Sequence, residues 1–196
     1  KLSKKGDIEM PGFTIHIAVA KEYIKNHNGK IQNEEEFIKG SIAPDMNENM
    51  NDKCNNKNLS HYGKWGKGNA YTNFTLFLKD NKVNLQQDYW MGYFLHLLTD
   101  HYFYNKYFKI ELEEALKAKD SFYNDYDCLN ELLINKYNIK INENIQKNIQ
   151  KYMNFLDEKP KYLTENKTVN FIENMAKINF DKQIEIIKQN RMEEIF

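Results

Sequence analysis

Prolines interrupt this chain at only three positions, Pro11, Pro44 and Pro160. Elsewhere apolar residues recur every three or four positions, which is the spacing that places them on one face of a helix. The one stretch with the alternating pattern of a strand, Ile139-Lys140-Ile141, is too short to define a sheet. The sequence therefore predicts an all-α fold, a single-domain multi-helix bundle.

The chain has enough apolar material for one core. Its 196 residues are 41% hydrophobic and include 13 Tyr and 12 Phe, which excludes a disordered chain. No internal repeat and no shift in composition divides the sequence. We therefore expect residues 11–196 to form one domain, and the polar residues 1–10 to be an N-terminal tail or leader.

The charge balance, the apolar runs and the cysteine count argue against nucleic-acid-binding, membrane-spanning and disulfide-rich proteins. Lys and Arg number 28 and Asp and Glu number 28, so the sequence shows no strong nucleic-acid signal. No apolar run approaches the roughly 20 residues that span a bilayer, and no signal peptide is visible. The two cysteines, Cys54 and Cys128, are too few for a disulfide scaffold. We expect a cytoplasmic protein without a membrane span, and the sequence leaves its oligomeric state open.

The helical pattern predicts individual elements. Asn33 followed by three glutamates is typical of a helix N-terminus, and Gly40 is expected to end that short helix. Pro44 favours a turn at 41–45, and a surface loop is expected at 47–58. The glycines around Trp65 indicate another irregular stretch. The remaining predicted helices span 14–26, 69–78, 85–108, 111–119, 128–137, 143–156, 169–180 and 182–194.

The predicted helix 85–108 contains two polar residues with the spacing of metal ligands. His96 and Asp100 are four residues apart, so both side chains lie on one face, about 40° apart around the axis. His101 lies about 100° from Asp100 and therefore makes a poor second ligand beside it. The tyrosines that share the same face, which spans about 80°, are Tyr89, Tyr93, Tyr104 and Tyr107.

Three further residues can join His96 and Asp100 around a metal ion. His16 lies in the first predicted helix, Asp45 ends the Ala-Pro-Asp turn and His61 lies in a predicted loop. Three imidazoles and two carboxylates supply enough donors for one or two ions of zinc or another divalent transition metal. Each residue also fits a plain structural role, as a hydrogen-bonded histidine or as an aspartate in a turn.

These residues, in this order, resemble the bacterial zinc-dependent phospholipase C family and its uncharacterised single-domain relatives. The matching segments are Thr-Ile-His at 14–16, Gly-Ser-Ile-Ala-Pro-Asp at 40–45, Ser-His at 60–61 and Gly-Tyr-Phe-Leu-His-Leu-Leu-Thr-Asp-His at 92–101. The resemblance implies a phospholipase C/P1 nuclease-like fold. It also implies zinc-dependent hydrolysis of a small phosphoester or phosphodiester substrate.

The resemblance implies a role for each candidate ligand. His61, His96 and Asp100 would hold one zinc ion, and Asp45 would be a ligand of that ion or the general base beside it. His16 would help to hold a second ion, with Asp100 bridging the two. The family's later pair of histidines, which holds a third zinc ion with a glutamate, has no counterpart here because no histidine follows position 101.

A hydrolytic site also needs groups that support the ligands or bind substrate. Zinc lowers the pKa of a bound water to about 7, and a neighbouring carboxylate can take its proton. Tyr93 and Tyr104 are candidates for hydrogen bonds to phosphate oxygens. His101 is a further candidate beside the ligands, and Asp125 or Asp127 can supply a replacement carboxylate.

Two alternatives stay open at the level of sequence. One is a nucleotide phosphohydrolase of the HD type, although that family's adjacent pair runs His-Asp and the order here is Asp100-His101. The other is a non-catalytic helical protein whose metal is structural. A structural site has all its coordination positions filled by protein, whereas a catalytic site keeps one open for water.

Overall fold

The structure, a computed structural model, describes residues 12–46, 53–66, 69–140 and 155–189. In that part of the chain it has nine α-helices and one two-stranded hairpin, which confirms the predicted all-α class. The predicted N-terminal tail, 1–10, lies outside the described residues. In chain order the elements are α1 (Phe13–Asn26), α2 (Glu34–Ile42), α3 (Lys53–Ser60), β1 (Gly63–Gly66), β2 (Asn69–Thr72), α4 (Phe74–Asn81), α5 (Asp88–Tyr102), α6 (Lys109–Lys117), α7 (Tyr123–Lys136), α8 (Glu165–Met175) and α9 (Phe180–Lys188).

Helix α5 lies at the centre of the core. Every residue from Gly92 to Asp100 is buried, so the face that carries His96 points into the protein rather than into solvent. The largest fully buried side chains of the described core are mainly aromatic, and among the buried rings Phe77 and Phe94 stack with ring centroids 5.5 Å apart. The polar face of α5 is therefore enclosed by other elements.

Helices α2 and α5 cross with their backbones in contact. A Cβ atom on Gly40 would lie 1.9 Å from the carbonyl oxygen of Tyr89, and one on Gly92 would lie 2.0 Å from that of Phe37. The expectation that Gly40 ends its helix is therefore wrong, because α2 continues to Ile42 and uses Gly40 for this close approach. The crossing brings the C-terminal end of α2 against the middle of α5.

A hairpin occupies a stretch that the sequence did not indicate as strand. β1 and β2 pair antiparallel, with Gly63 opposite Thr72 and Gly66 opposite Asn69. The predicted helix 69–78 is therefore wrong for 69–72, and α4 begins only after Asn73, whose side chain accepts from the N–H of Leu76. The predicted loop 47–58 is wrong where α3 begins at position 53, and 47–52 lie outside the described residues.

The predicted helix 85–108 is interrupted. α5 ends at Tyr102, and Phe103–Tyr107 form a π-helical turn closed by a hydrogen bond from residue 108 to residue 103. A π-helical turn advances the chain by a different angle per residue than an α-helix does. The helical wheel therefore no longer gives the directions of Tyr104 and Tyr107.

The C-terminal helices begin earlier than the sequence pattern predicts. The predicted helices 111–119, 128–137 and 169–180 correspond to α6, α7 and α8, and the predicted helix 182–194 corresponds to α9 as far as it is described. Positions 143–154 lie outside the described residues, and 155–156 are not helical. In the described part of the chain, no helix combines the length and the apolar character that crossing a membrane requires.

Candidate metal centre

Five side chains from four parts of the chain meet inside the protein. His16 comes from α1, Asp45 from the turn after α2, His61 from the residue after α3, and His96 and Asp100 from α5. Their side chains are 0–1% exposed. Their ligand atoms fall into two groups of three whose members lie within 4.8 Å of one another. The sequence-predicted ligands thus share one enclosed space.

Each carboxylate faces histidines on two sides. Oδ1 of Asp100 lies 3.3 Å from Nε2 of His16, whereas its Oδ2 lies 3.3 Å from Nε2 of His61. Asp45 repeats this arrangement, with Oδ2 3.8 Å from Nε2 of His16 and Oδ1 3.2 Å from Nε2 of His61. His96 lies on the His61 side, with its Nε2 3.4 Å from Oδ2 of Asp100. Both carboxylates therefore span the gap between one histidine and a pair.

Backbone carbonyl groups orient the paired histidines, His61 and His96. Nδ1 of His96 lies 2.8 Å from the carbonyl oxygen of Ser41, and Nδ1 of His61 lies 3.1 Å from that of Lys57. A carbonyl oxygen only accepts, so Nδ1 of His96 donates to Ser41 and the neutral ring has its lone pair on Nε2. Nδ1 of His61 also lies 2.9 Å from the Ser60 hydroxyl, which can donate or accept. The two Nε2 atoms are 3.2 Å apart. Two nitrogens at this distance repel each other unless one of them carries a proton or a cation lies between them.

The pKa values of the clustered aspartates and histidines show which side chains are charged. Burial alone would raise the pKa of Asp100, but the neighbouring imidazoles, His96 first among them, hold it well below its ordinary value. Burial also acts to raise the pKa of Asp45, and His96 again lowers it overall. Burial and His96 together lower the pKa of His16, which stays neutral. Both carboxylates are therefore ionised. Burial acts to lower the pKa of His96, but the two carboxylates raise it overall, so a protonated His96 offsets part of their charge. A divalent cation bound to neutral imidazoles would cancel that charge instead.

Several buried atoms of the cluster have no hydrogen bond. Among the described residues, neither ring nitrogen of His16, neither oxygen of Asp100 and not Oδ1 of Asp45 has a hydrogen-bonded partner. Buried polar atoms are nearly always paired, so a group of five in one place needs an explanation. Three imidazole nitrogens and up to four carboxylate oxygens, with no thiolate among them, fit zinc or another borderline divalent metal.

Two of the other candidate residues, Tyr93 and His101, lie near the candidate ligands. The Tyr93 hydroxyl donates to the carbonyl oxygen of Ser60, the residue before His61. His101 packs its ring edge-on against Phe74, with ring centroids 5.5 Å apart, and does not belong to either ligand group. The helical-wheel argument that separates His101 from the ligands agrees with this placement.

The remaining candidates have other neighbours. The Tyr104 hydroxyl lies 3.5 Å from that of Tyr126 on α7. Asp127 Oδ1 lies 3.5 Å from the side-chain amide of Asn130. Asp125 accepts from three successive backbone N–H groups, those of residues 161–163, so its carboxylate holds this segment against α7. Neither Asp125 nor Asp127 belongs to the two ligand groups found in the described part of the chain.

Sequence reasoning missed the supports of the site. The carbonyl groups of Ser41 and Lys57 orient two candidate ligands, His96 and His61, and a backbone carbonyl leaves no signature in a sequence. Near His16, the Thr14 hydroxyl donates to the side-chain oxygen of Asn130 at 2.7 Å and ties α1 to α7. This pair joins residues 116 positions apart, which no local pattern can indicate.

Comparison with known proteins gives no relative: no family model, no curated protein and no solved structure matches this chain. The resemblance to zinc-dependent phospholipases C therefore stays a prediction. What the chain does is inferred below from the chemistry of the five side chains.

Proposed function

We propose that this protein is a metal-dependent hydrolase of phosphoesters or phosphodiesters, with zinc as the expected metal. The observation that carries the proposal is the pair of buried carboxylates that each face His16 on one side and His61 on the other. Carboxylates that bridge two sets of nitrogen donors are suited to one or two divalent ions. Centres of this kind activate water for attack at phosphorus.

Each residue has a part in the proposed reaction. Bound zinc would supply a nucleophilic water at neutral pH and would polarise a phosphoryl oxygen. His61, His96 and Asp100 hold their Nε2 and Oδ2 atoms toward one point, with the imidazoles locked by backbone carbonyls. Asp45, whose Oδ1 accepts no hydrogen bond among the described residues, would receive the proton of the attacking water.

The enclosure of the cluster favours a second candidate function. All five ligand side chains are at most 1% exposed. A metal held there would join α1, α5 and the ends of α2 and α3, and it would stabilise the fold without catalysis. The two candidates differ in whether the bound metal supports turnover.

Metal content and hydrolysis separate these functions. The protein is stripped with a chelator, reloaded with zinc, and measured for zinc by mass spectrometry and for hydrolysis of bis(p-nitrophenyl) phosphate. We expect zinc to bind and hydrolysis to depend on it. Asp45→Asn should keep more zinc than His61→Ala but lose hydrolysis. Bound zinc without hydrolysis of phosphoesters would favour the structural function, and a protein that binds no divalent metal would refute both.

A further inference from the structure

A buried hydroxyl connects α5 to the segment that carries His61. Tyr93 lies one turn before His96 on α5, and its hydroxyl donates to the carbonyl oxygen of Ser60. Tyr93 is 8% exposed and Ser60 is 4% exposed. The proposed reaction uses neither group, so this bond has another role.

The ring of Tyr93 is held in one orientation. It stacks on Phe77, with ring centroids 5.8 Å apart, and meets the ring of Tyr62 edge-on at 6.4 Å. Burial raises the pKa of Tyr93 above its ordinary value, so the hydroxyl stays protonated and remains a donor. The Tyr93 hydroxyl is therefore both oriented and protonated, so that it can donate to a carbonyl oxygen.

His61 depends on this segment for its position. It is the one ligand supplied by the stretch between α3 and β1, and it is fully buried. The Ser60 hydroxyl lies 2.9 Å from Nδ1 of His61, so Ser60 contacts both Tyr93 and the imidazole. The next residue, Tyr62, is hydrogen-bonded to α4 and to the residue before it: Asn81 donates to its hydroxyl at 2.9 Å, and the N–H of Asn73 donates to its carbonyl oxygen at 2.8 Å.

We propose that Tyr93 is a positioning residue of the metal centre: its hydroxyl fixes His61 against His96 and Asp100, and so raises the affinity of the cluster for a divalent cation. This inference rests on the metal site of the proposed function, but it does not require hydrolysis. Groups that orient metal ligands typically change metal affinity about 10- to 100-fold when they are removed.

A substitution on the same helix provides a matched control. Tyr93→Phe removes the hydroxyl and keeps the ring. Tyr102→Phe removes another buried hydroxyl from α5, one that donates to Oε1 of Gln183 on α9 at 2.7 Å and has no bond to Ser60 in the described structure. With a chromophoric chelator as competitor, we expect zinc affinity to fall about 10- to 100-fold in Tyr93→Phe and to stay unchanged in Tyr102→Phe.

Two further measurements distinguish positioning from general stability. The visible absorption of bound Co²⁺ should change in Tyr93→Phe, because His61 moves relative to the ion, and should not change in Tyr102→Phe. In a His61→Ala background, Tyr93→Phe should cause no further loss of zinc affinity. An equal loss in both tyrosine variants, or a full additional loss in the His61→Ala background, would overturn the inference.

The outcomes also separate this inference from the proposed function. Wild-type zinc affinity in Tyr93→Phe would overturn the positioning role and leave the metal centre standing. If the wild-type protein itself binds no zinc, the metal centre fails and the positioning role fails with it. Zinc binding without hydrolysis would refute the enzyme while leaving the test of Tyr93 intact.

Discussion

Asp100→Asn is the sharpest test of the metal centre. The substitution keeps the shape of the side chain but removes one of the two negative charges. It also replaces one carboxylate oxygen with an amide nitrogen, which cannot bind a cation. The replaced atom is either Oδ1, 3.3 Å from Nε2 of His16, or Oδ2, 3.3 Å from Nε2 of His61. Helix content should not change, because Asn and Asp have similar helix propensities.

The size of the effect follows from linkage. At a free zinc concentration 1,000 times the dissociation constant, binding stabilises the native state by about 4 kcal/mol. For a chain of 196 residues the unfolding entropy is about 0.4 kcal/mol/K, so zinc should raise the Tm of the wild-type protein by about 10 °C. If the substitution weakens binding about 100-fold, the same zinc concentration contributes about 1.4 kcal/mol and raises the Tm by about 3 °C.

Thermal unfolding by circular dichroism, with zinc buffered and with zinc removed by chelator, measures both shifts. Asp120→Asn is the control, because Asp120 is a surface carboxylate more than a third exposed and paired with Lys161 at 2.6 Å. This control should show the full wild-type rise. The reasoning is refuted if Asp100→Asn and the wild-type protein gain the same Tm on addition of zinc.

Three further predictions concern packing, pH and the residue next to Asp100. Gly92→Ala places a methyl group 2.0 Å from the carbonyl oxygen of Phe37, so it should lower stability by about 1–3 kcal/mol, seen as a lower urea midpoint; an unchanged midpoint would contradict the backbone contact. Burial acts to lower the pKa of His96, but the two neighbouring carboxylates raise it overall. Only the neutral ring binds metal, so zinc affinity should fall about tenfold per pH unit below that pKa, and a flat profile in chelator competition would refute this. His101→Ala should keep wild-type zinc content by mass spectrometry and lose some stability through its contact with Phe74, whereas loss of zinc would make His101 a ligand.

Local spacing was enough to indicate the ligand pair on α5. His96 and Asp100 are separated by four residues, and on any α-helix they share a face. Both lie in an apolar, aromatic run, and every residue from Gly92 to Asp100 is buried in the structure. The meeting of this pair with His16, Asp45 and His61 depends on how α1, α2 and α3 pack on α5. From spacing alone, a shared site for these five residues was one alternative, and a separate structural role for each was another.

Elements that depend on distant contacts escaped prediction. Gly40 has the local signature of a helix end, but its missing side chain serves the contact with α5. The hairpin of β1 and β2 is stabilised by pairing between strands of four residues each, too short for an alternating pattern to stand out. After Tyr102 the switch to a π-helical turn changes the angle per residue, so an ideal wheel misdirects every later side chain.

The close backbone approach of α2 and α5 at Gly40 and Gly92 affects how the protein can change over evolution. Because α2 and α5 meet through main-chain atoms, the distance from the Ser41 carbonyl to His96 does not depend on the volume of any side chain between the helices. Repacking the aromatic core elsewhere leaves that distance intact. A substitution elsewhere in the cluster would therefore leave the His96 imidazole in its position against α2.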